Sequence, residues 1–153
     1  KVNHNQKLSL VQKVKTFFGE DLAGMKFALW GLAFKPETDD IREAPALKII
    51  EQLLAAGAKV TAFDPEAMKN VKDFLGNDIK YAESSYEALN DADALLIATE
   101  WSAFRNPDFE KIQDLMKSPI IFDGRNLYDI STMENKGFYY QSVGRKTVNN
   151  LSK

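Results

Sequence analysis

The sequence predicts an α/β fold in which a mostly parallel sheet carries helices on both faces. Strand-like and helix-like segments alternate along the chain with short connections between them. The strand-like segments are apolar on both sides, which is typical of strands buried between two layers of helices. Because crossovers between parallel strands are right-handed, we predict a doubly wound, Rossmann-like domain.

The first predicted element is a helix over residues 5–18. Leu10, Val14 and Phe17 recur at spacings that place them on one helical face. Gly19 follows where such a helix would end.

The later elements continue the alternation. Residues 44–57 are predicted to form a helix that ends at Gly57, and apolar runs and turn residues mark the others. The predicted strands lie at 25–31, 58–65, 79–82, 93–99, 119–124 and 138–144, and the further helices lie near 66–75, 84–91, 107–116 and 129–136.

Composition is close to globular averages and excludes several classes of function. The 153 residues are 44% hydrophobic and 27% charged, which suits one compact domain. A net charge of −2 gives no basic stripe of the kind that binds nucleic acid or a membrane surface. There is no cysteine, hence no disulfide, thiolate metal site or cysteine nucleophile, and we assign no metal site. With no signal peptide and no apolar run near the roughly 20 residues that span a bilayer, we expect a soluble, cytoplasmic domain.

Four turns are candidates for a ligand site, because ligands of such sheets bind beyond the carboxyl ends of the strands. These turns are residues 31–43, 64–66, 99–107 and 123–129. In the third of them, we expect Trp101 to pack in the core.

The first turn does not have the sequence of a standard dinucleotide site. Gly31 stands alone, without the second and third glycines that let backbone approach a pyrophosphate. Asp64, at the end of the second strand, occupies the place of a ribose-binding acid. Alternatively, Asp64 starts a turn and caps the next helix.

Lys35 and Arg42 are the cations of this first turn. Lys35 lies before Pro36 in a loop that leads to a helix N-terminus, where backbone amides and an ammonium together favour an anion. Its alternative role is a solvated lysine neutralised by nearby acids. Asp40 and Glu43 have the spacing of a capping box.

Arg42 raises a separate question, since a cation near a helix N-terminus is unfavourable by roughly 0.3–1 kcal/mol unless an anion compensates. That anion is either an adjacent acid or a phosphate from outside.

Arg125 is the candidate of the last turn. Asp123 ends a strand, Gly124 allows an unusual backbone angle, and Arg125 then projects its planar donor fork over the sheet edge. The alternative is a salt bridge between Arg125 and Asp123 or Asp129.

Five segments closely resemble the C-terminal domain of the UDP-glucose 6-dehydrogenases, in the right order and at plausible spacing. They are "GLAFKPETDDIREAP" at 31–45, "FDP" at 63–65, "ATEW" at 98–101, "FDGRN" at 122–126 and "YYQSVGR" at 139–145. The lead "VNHNQK" is similar to the end of that family's central linking helix. The resemblance therefore implies two parts, with residues 1–19 as the end of the linking helix and residues 20–153 as the UDP-sugar-binding domain.

The resemblance also implies an activity and a set of site residues. Enzymes of this family oxidise UDP-glucose to UDP-glucuronate with NAD, through a thiohemiacetal on a catalytic cysteine. An N-terminal domain binds NAD, and the central helix forms a homodimer contact. Phe34, Lys35 and Arg125 match substrate-binding residues, and Arg42 matches an arginine that reaches the NAD diphosphate.

The family's catalytic cysteine and glycine-rich NAD turn match nothing in this sequence, so no residue is assigned a catalytic role. We expect a domain that is inactive without the N-terminal NAD-binding domain. Two alternatives remain: the corresponding domain of a UDP-N-acetylmannosamine or GDP-mannose dehydrogenase, or a non-catalytic nucleotide-binding module.

Overall fold

The computed structural model describes residues 9–33, 35–42 and 44–151. Within these residues, helices and strands alternate as the sequence predicts. The elements are α1 (Leu10–Phe18), β1 (Lys26–Trp30), α2 (Pro45–Ala55), β2 (Lys59–Phe63), α3 (Met68–Leu75), β3 (Lys80–Tyr81), β4 (Ala94–Ile97), α4 (Phe109–Leu115), β5 (Ile120–Asp123), α5 (Ile130–Lys136) and β6 (Tyr139–Gln141). Short 3-10 turns cover Glu87–Leu89 and Ser102–Phe104.

The strands form one six-stranded parallel sheet in the order β3-β2-β1-β4-β5-β6. The first three strands extend the sheet in one direction and the last three in the other, so the order reverses between β1 and β4. This topology confirms the predicted doubly wound, Rossmann-like fold. Ligand sites of such sheets lie outside the carboxyl ends of the strands at this reversal.

The core consists of two layers, one on each face of the sheet, and the residues of β1 contribute to both. Successive strand residues point to opposite faces, and accordingly Phe27 and Leu29 pack against α1, α2 and α3, whereas Ala28 and Trp30 pack on the α4 and α5 side. All four are fully or almost fully buried. Burial on both faces explains why the strand lacks polar alternation.

Helix α1 begins with a capping box. The Ser9 hydroxyl accepts from the Gln12 backbone, and the Gln12 side chain accepts from the Ser9 backbone. The predicted start at residue 5 lies outside the described residues. Val11 and Val14 are buried in the same cluster as the sheet, and the predicted division at residue 19 remains a prediction.

The sequence predicts a helix end at Gly57 and a helix near 84–91, and the structure bears out only the first. Gly57 follows the C-cap of α2 with φ +94°, so the predicted helix end is confirmed. The predicted helix near 84–91 is wrong, because only the three residues Glu87–Leu89 form a 3-10 turn. Asn90 leaves the helical region with ψ 119°, and Asp91 has φ +59°.

Candidate functional site

The loops that follow β1, β2, β4 and β5 meet at one edge of the sheet, because all these strands are parallel. Lys35 follows β1 and Arg125 follows β5, with β4 as the only strand between them. Since neighbouring strands lie about 4.8 Å apart, the two strand ends are about 10 Å apart. The sequence-predicted cations therefore leave the same edge of the domain.

The loop after β1 is held at its base by side chains from two other loops. The Leu32 and Ala33 amides donate to Asp64 at 2.7 and 3.0 Å, and the Thr99 hydroxyl donates to the Ala33 carbonyl at 2.9 Å. Gly31 has φ +100°, and a Cβ there would lie 2.6 Å from the Thr99 Cβ. Only glycine therefore lets the turn approach Thr99 this closely.

Asp64 is fully buried and accepts five hydrogen bonds from protein groups. Besides the two amides of the β1 loop, it accepts from the Glu66 and Ala67 amides at 2.8 and 2.7 Å and from the Trp101 indole at 3.1 Å. The turn-starting alternative is therefore correct, although α3 itself has Ala67 as its N-cap and no side-chain cap. No lone pair is left exposed toward a ribose.

This loop does not fit a dinucleotide cofactor. In the dinucleotide fingerprint, glycines make room for the pyrophosphate and an acid binds the ribose. Here the space above Gly31 is filled by Thr99, and Asp64 is buried among protein donors. These residues therefore do not support NAD binding at the turn after β1.

The tip of the same loop is exposed and carries its own ion pair. Arg42 donates to both carboxylate oxygens of Asp40, from Nε at 3.1 Å and from Nη2 at 3.0 Å. These bonds, with the Arg42 amide and a smaller effect of the Lys35 charge, lower the pKa of Asp40 to about 2. Lys35 is exposed, while Phe34 lies outside the described residues. The adjacent acid is thus the anion that compensates Arg42.

The predicted capping box at Asp40 is wrong. Helix α2 begins at Pro45, with Ala44 as N-cap and no side-chain cap. Proline suits the first helical position because its missing N–H would have no partner there. The Asp40 carboxylate is taken by Arg42, and Glu43 lies outside the described residues.

The loop after β5 is held by the aspartate at the end of its own strand. Asp123 is fully buried and accepts from the Arg125 amide at 2.8 Å, the Leu127 amide at 2.7 Å and the Tyr140 hydroxyl at 2.6 Å. Gly124 does not have the predicted unusual angle. Its lack of a side chain relieves crowding instead, because a Cβ there would lie 3.0 Å from the Ile97 carbonyl oxygen.

Arg125 forms a two-point ion pair, but with neither of the predicted acids. Its Nε and Nη2 donate to the two carboxylate oxygens of Glu100 at 2.7 and 3.0 Å. The hydrogen bond from Arg125 holds the pKa of Glu100 below its ordinary value. Asp123 is unavailable because its oxygens serve the turn amides and Tyr140. Arg125 is also among the residues that line a groove of about 340 Å³ between α1, α2 and the ends of β4 and β5.

Residues 99–101, directly after β4, form hydrogen bonds to the loops that follow β1, β2 and β5. Thr99 bonds to the loop after β1, Glu100 to the loop after β5, and Trp101 to Asp64 after β2. Trp101 is 5% exposed and packs in the core as predicted. The polar roles of Thr99 and Glu100 were missed by sequence reasoning. The available signal was their position directly after an apolar strand at the order reversal.

Across residues 9–33, 35–42 and 44–151, no group of three or more histidine, aspartate or glutamate side chains could hold a metal ion. In the same part of the chain, no helix is long and apolar enough to cross a membrane.

Comparison with known proteins identifies the family. Residues 28–130 match the UDP binding domain of the UDP-glucose/GDP-mannose dehydrogenase family. The chain is 45% identical over 148 residues to UDP-glucose 6-dehydrogenase of Pseudomonas aeruginosa, an alignment that covers 94% of this chain and 33% of that protein. It is 43% identical over 144 residues to the Rhizobium meliloti enzyme of the same name, again covering 94% of this chain and 33% of the relative.

A solved structure agrees with these sequence matches. The UDP-glucose dehydrogenase of the archaeon Pyrobaculum islandicum superposes with a TM-score of 0.72 at 30% identity, over 86% of this chain and 28% of that one. The chain spans about a third of the length of the curated relatives it matches. With two thirds of its residues inside the matched domain, the chain belongs to the UDP-glucose/GDP-mannose dehydrogenase family.

Proposed function

We propose that the chain is the C-terminal, substrate-binding domain of an NAD-dependent UDP-glucose 6-dehydrogenase, and that it binds the UDP part of UDP-glucose and UDP-glucuronate. The observation that carries the proposal is the placement of Lys35 and Arg125 at one edge of the sheet, two strands apart, beside the order reversal. A nucleoside diphosphate needs positive charge and directed hydrogen-bond donors at one place, and this edge supplies both.

The two cations contribute differently to such a site. Lys35 is an exposed ammonium on a loop whose base is fixed by buried bonds. Arg125 is half-exposed and uses two of its five N–H groups on Glu100, so three remain for a ligand. We propose that Lys35 supplies charge, that Arg125 supplies directed hydrogen bonds, and that Phe34 beside Lys35 contacts the substrate.

The reaction itself is proposed to need the rest of a longer protein. None of the 153 residues is cysteine, so this chain cannot form the thiohemiacetal that the family's chemistry requires. The one-third coverage of the relatives supports an additional NAD-binding domain in the complete enzyme, where a homodimer is expected. Arg42, whose side chain is 88% exposed, is proposed to reach the diphosphate of an NAD molecule bound to that additional domain.

A calorimetric titration of the chain with UDP, GDP and uridine tests the proposal. We expect UDP to bind, uridine to bind far more weakly because it lacks the diphosphate, and GDP to bind more weakly than UDP. Preferential binding of GDP would assign the domain to a GDP-mannose dehydrogenase instead. Failure of both nucleotides to bind would refute nucleotide binding by this domain.

A second assay tests whether the chain alone is catalytically inactive. The chain is incubated with UDP-glucose and NAD, and NADH is followed by its absorbance. We expect no NADH above the rate of a buffer blank. Production of NADH that depends on UDP-glucose would contradict the assignment of the covalent chemistry to another domain.

A further inference from the structure

We propose that Glu100 is a positioning residue for Arg125, which fixes the plane of the guanidinium so that one edge faces the ligand. The proposal rests on the proposed function for the identity of that ligand. The two-point contact at 2.7 and 3.0 Å occupies the side of the guanidinium formed by Nε and Nη2. The edge formed by Nη1 and the second Nη2 hydrogen is thereby left for a second two-point contact.

Both members of this pair are anchored through their backbones. The Arg125 amide donates to the buried Asp123 at 2.8 Å. Glu100 lies between two buried residues, Thr99 and Trp101, each of which bonds to a different loop. An ion pair between two fixed backbone positions holds its geometry better than one between two free surface side chains.

The exposure of the pair also suits a binding role. The side chain of Glu100 is 28% exposed and that of Arg125 is 46% exposed, so a ligand can reach the guanidinium without breaking the pair. Arg105 adds a second positive charge near Glu100, which keeps the carboxylate ionised. A free arginine would lose more side-chain freedom when it binds a ligand.

The charge of Glu100 acts in the opposite direction, since it repels an anionic ligand. The diphosphate would lie on the adjacent edge of the guanidinium, which shares Nη2 with the Glu100 contact, so the cation of Arg125 attracts both anions. Solvent and salt weaken the repulsion between such partly exposed charges. We therefore expect the loss of orientation to outweigh the relief of repulsion when Glu100 is replaced.

The first measurement needs no ligand. In a ¹H–¹⁵N spectrum of the chain, the Arg125 Nε–H should give a signal that exchanges slowly with water, because it is bonded to Glu100. Glu100→Ala should remove this protection. Glu134→Ala, which breaks the exposed Lys146–Glu134 pair of 2.9 Å, should leave it intact. A fast-exchanging Arg125 Nε–H in the parent chain would overturn the proposal.

The second measurement is UDP affinity at 0.15 M salt. We expect the affinity to fall in the order parent, Glu100→Gln, Glu100→Ala, with a loss of about threefold or more in Glu100→Ala, because glutamine keeps one neutral acceptor for the guanidinium. In an Arg125→Gln background, Glu100→Ala should have no further effect. A purely structural role of Glu100 would persist in that background.

Three results would contradict the positioning role: tighter UDP binding by Glu100→Gln, equal affinity of the parent and Glu100→Ala, or an undiminished effect of Glu100→Ala in the Arg125→Gln background. Should the parent chain bind no UDP at all, the proposed function fails. In that case, the exchange rate of the Arg125 Nε–H alone tests whether Glu100 holds the guanidinium in place.

Discussion

The loops after β1 and β5 lie at the same edge of the sheet but are held in different ways. The β1 loop is fixed by side chains from other loops, chiefly Asp64 and Thr99. The β5 loop is fixed at its base by the aspartate of its own strand, Asp123, and its later residues also bond to other loops. These further bonds are made by Arg125, Asn126 and Tyr128. The base of the β1 loop therefore depends on side chains from other loops, whereas the base of the β5 loop is held by its own strand.

The largest effect expected from this comparison is that of Asp64→Asn. The amide would place an NH₂ group against donors that now share one buried carboxylate. We expect the free energy of unfolding to fall by about 3–5 kcal/mol, as for breaking a buried charged hydrogen-bond network. Urea denaturation followed by circular dichroism measures this, with Asp129→Asn as control because that N-cap makes no side-chain bond. A loss below 1 kcal/mol would mean that the base of the β1 loop is held by other contacts.

Asp123→Asn is expected to cost less, about 2–4 kcal/mol in the same measurement. This carboxylate serves three donors, and the Tyr140 hydroxyl has a second acceptor in the Tyr128 carbonyl at 3.3 Å. Tyr140→Phe, which removes one of the three donors, should cost less than Asp123→Asn. If Asp123→Asn proved more destabilising than Asp64→Asn, the β5 loop would be the more dependent of the two.

UDP affinity compares the two loops as parts of a site. Lys35→Ala and Arg125→Ala should each weaken binding by about 1.5–3 kcal/mol, the range for hydrogen bonds to charged groups. Calorimetry at several salt concentrations measures both, and Lys69→Ala, which removes an exposed lysine paired within α3, is the control. Unchanged affinity in both variants would mean that neither Lys35 nor Arg125 contacts UDP.

The fold was predictable because strands buried on both faces and helices with regular spacing leave their pattern in consecutive residues. Phe27 and Leu29 face one layer while Ala28 and Trp30 face the other, and all four are apolar. That the candidate loops share one edge was predictable for the same reason, since parallel strands put their following loops at one edge. The 3-10 turn Glu87–Leu89 was not, because a segment this short fits a helix and a turn equally well.

The partners within the site were less predictable than its place. Arg125 bonds to Glu100, 25 residues away in sequence, and not to Asp123 or Asp129, because buried amides occupy Asp123. Likewise, three of the five donors to Asp64 lie more than 30 positions away in sequence, two before it and one after it. Sequence spacing predicts contacts within one element, whereas these contacts depend on strand order and loop packing.

The pH dependence of the free energy of unfolding measures the contribution of the ion pair between Glu100 and Arg125, which joins the segment after β4 to the β5 loop. Arg125 lowers the pKa of Glu100 from its ordinary value of 4.5. The pair therefore stabilises the fold fully above about pH 4.5, and this contribution disappears as the pH falls through the lower, folded pKa. Because the pair is partly exposed, we expect about 0.5–1 kcal/mol. The difference in unfolding free energy between the parent and Glu100→Gln should shrink between pH 6 and pH 3; a constant difference would mean that the charge of Glu100 contributes nothing.

The smallest effect is expected for Arg42→Ala, at the exposed tip of the β1 loop. Among the described residues, the side-chain partner of Arg42 is the neighbouring Asp40. Both side chains lie at the solvent-accessible surface, so neither the free energy of unfolding nor the UDP affinity of the chain should change measurably. In the complete enzyme, however, loss of a charge-assisted bond to the cofactor diphosphate should raise the KM for NAD on the order of tenfold. Steady-state kinetics with UDP-glucose saturating measures this, and an unchanged KM for NAD would leave Arg42 as the local partner of Asp40. A raised KM for NAD together with unchanged UDP affinity would separate the two arginines, with Arg125 contacting the substrate and Arg42 contacting the cofactor.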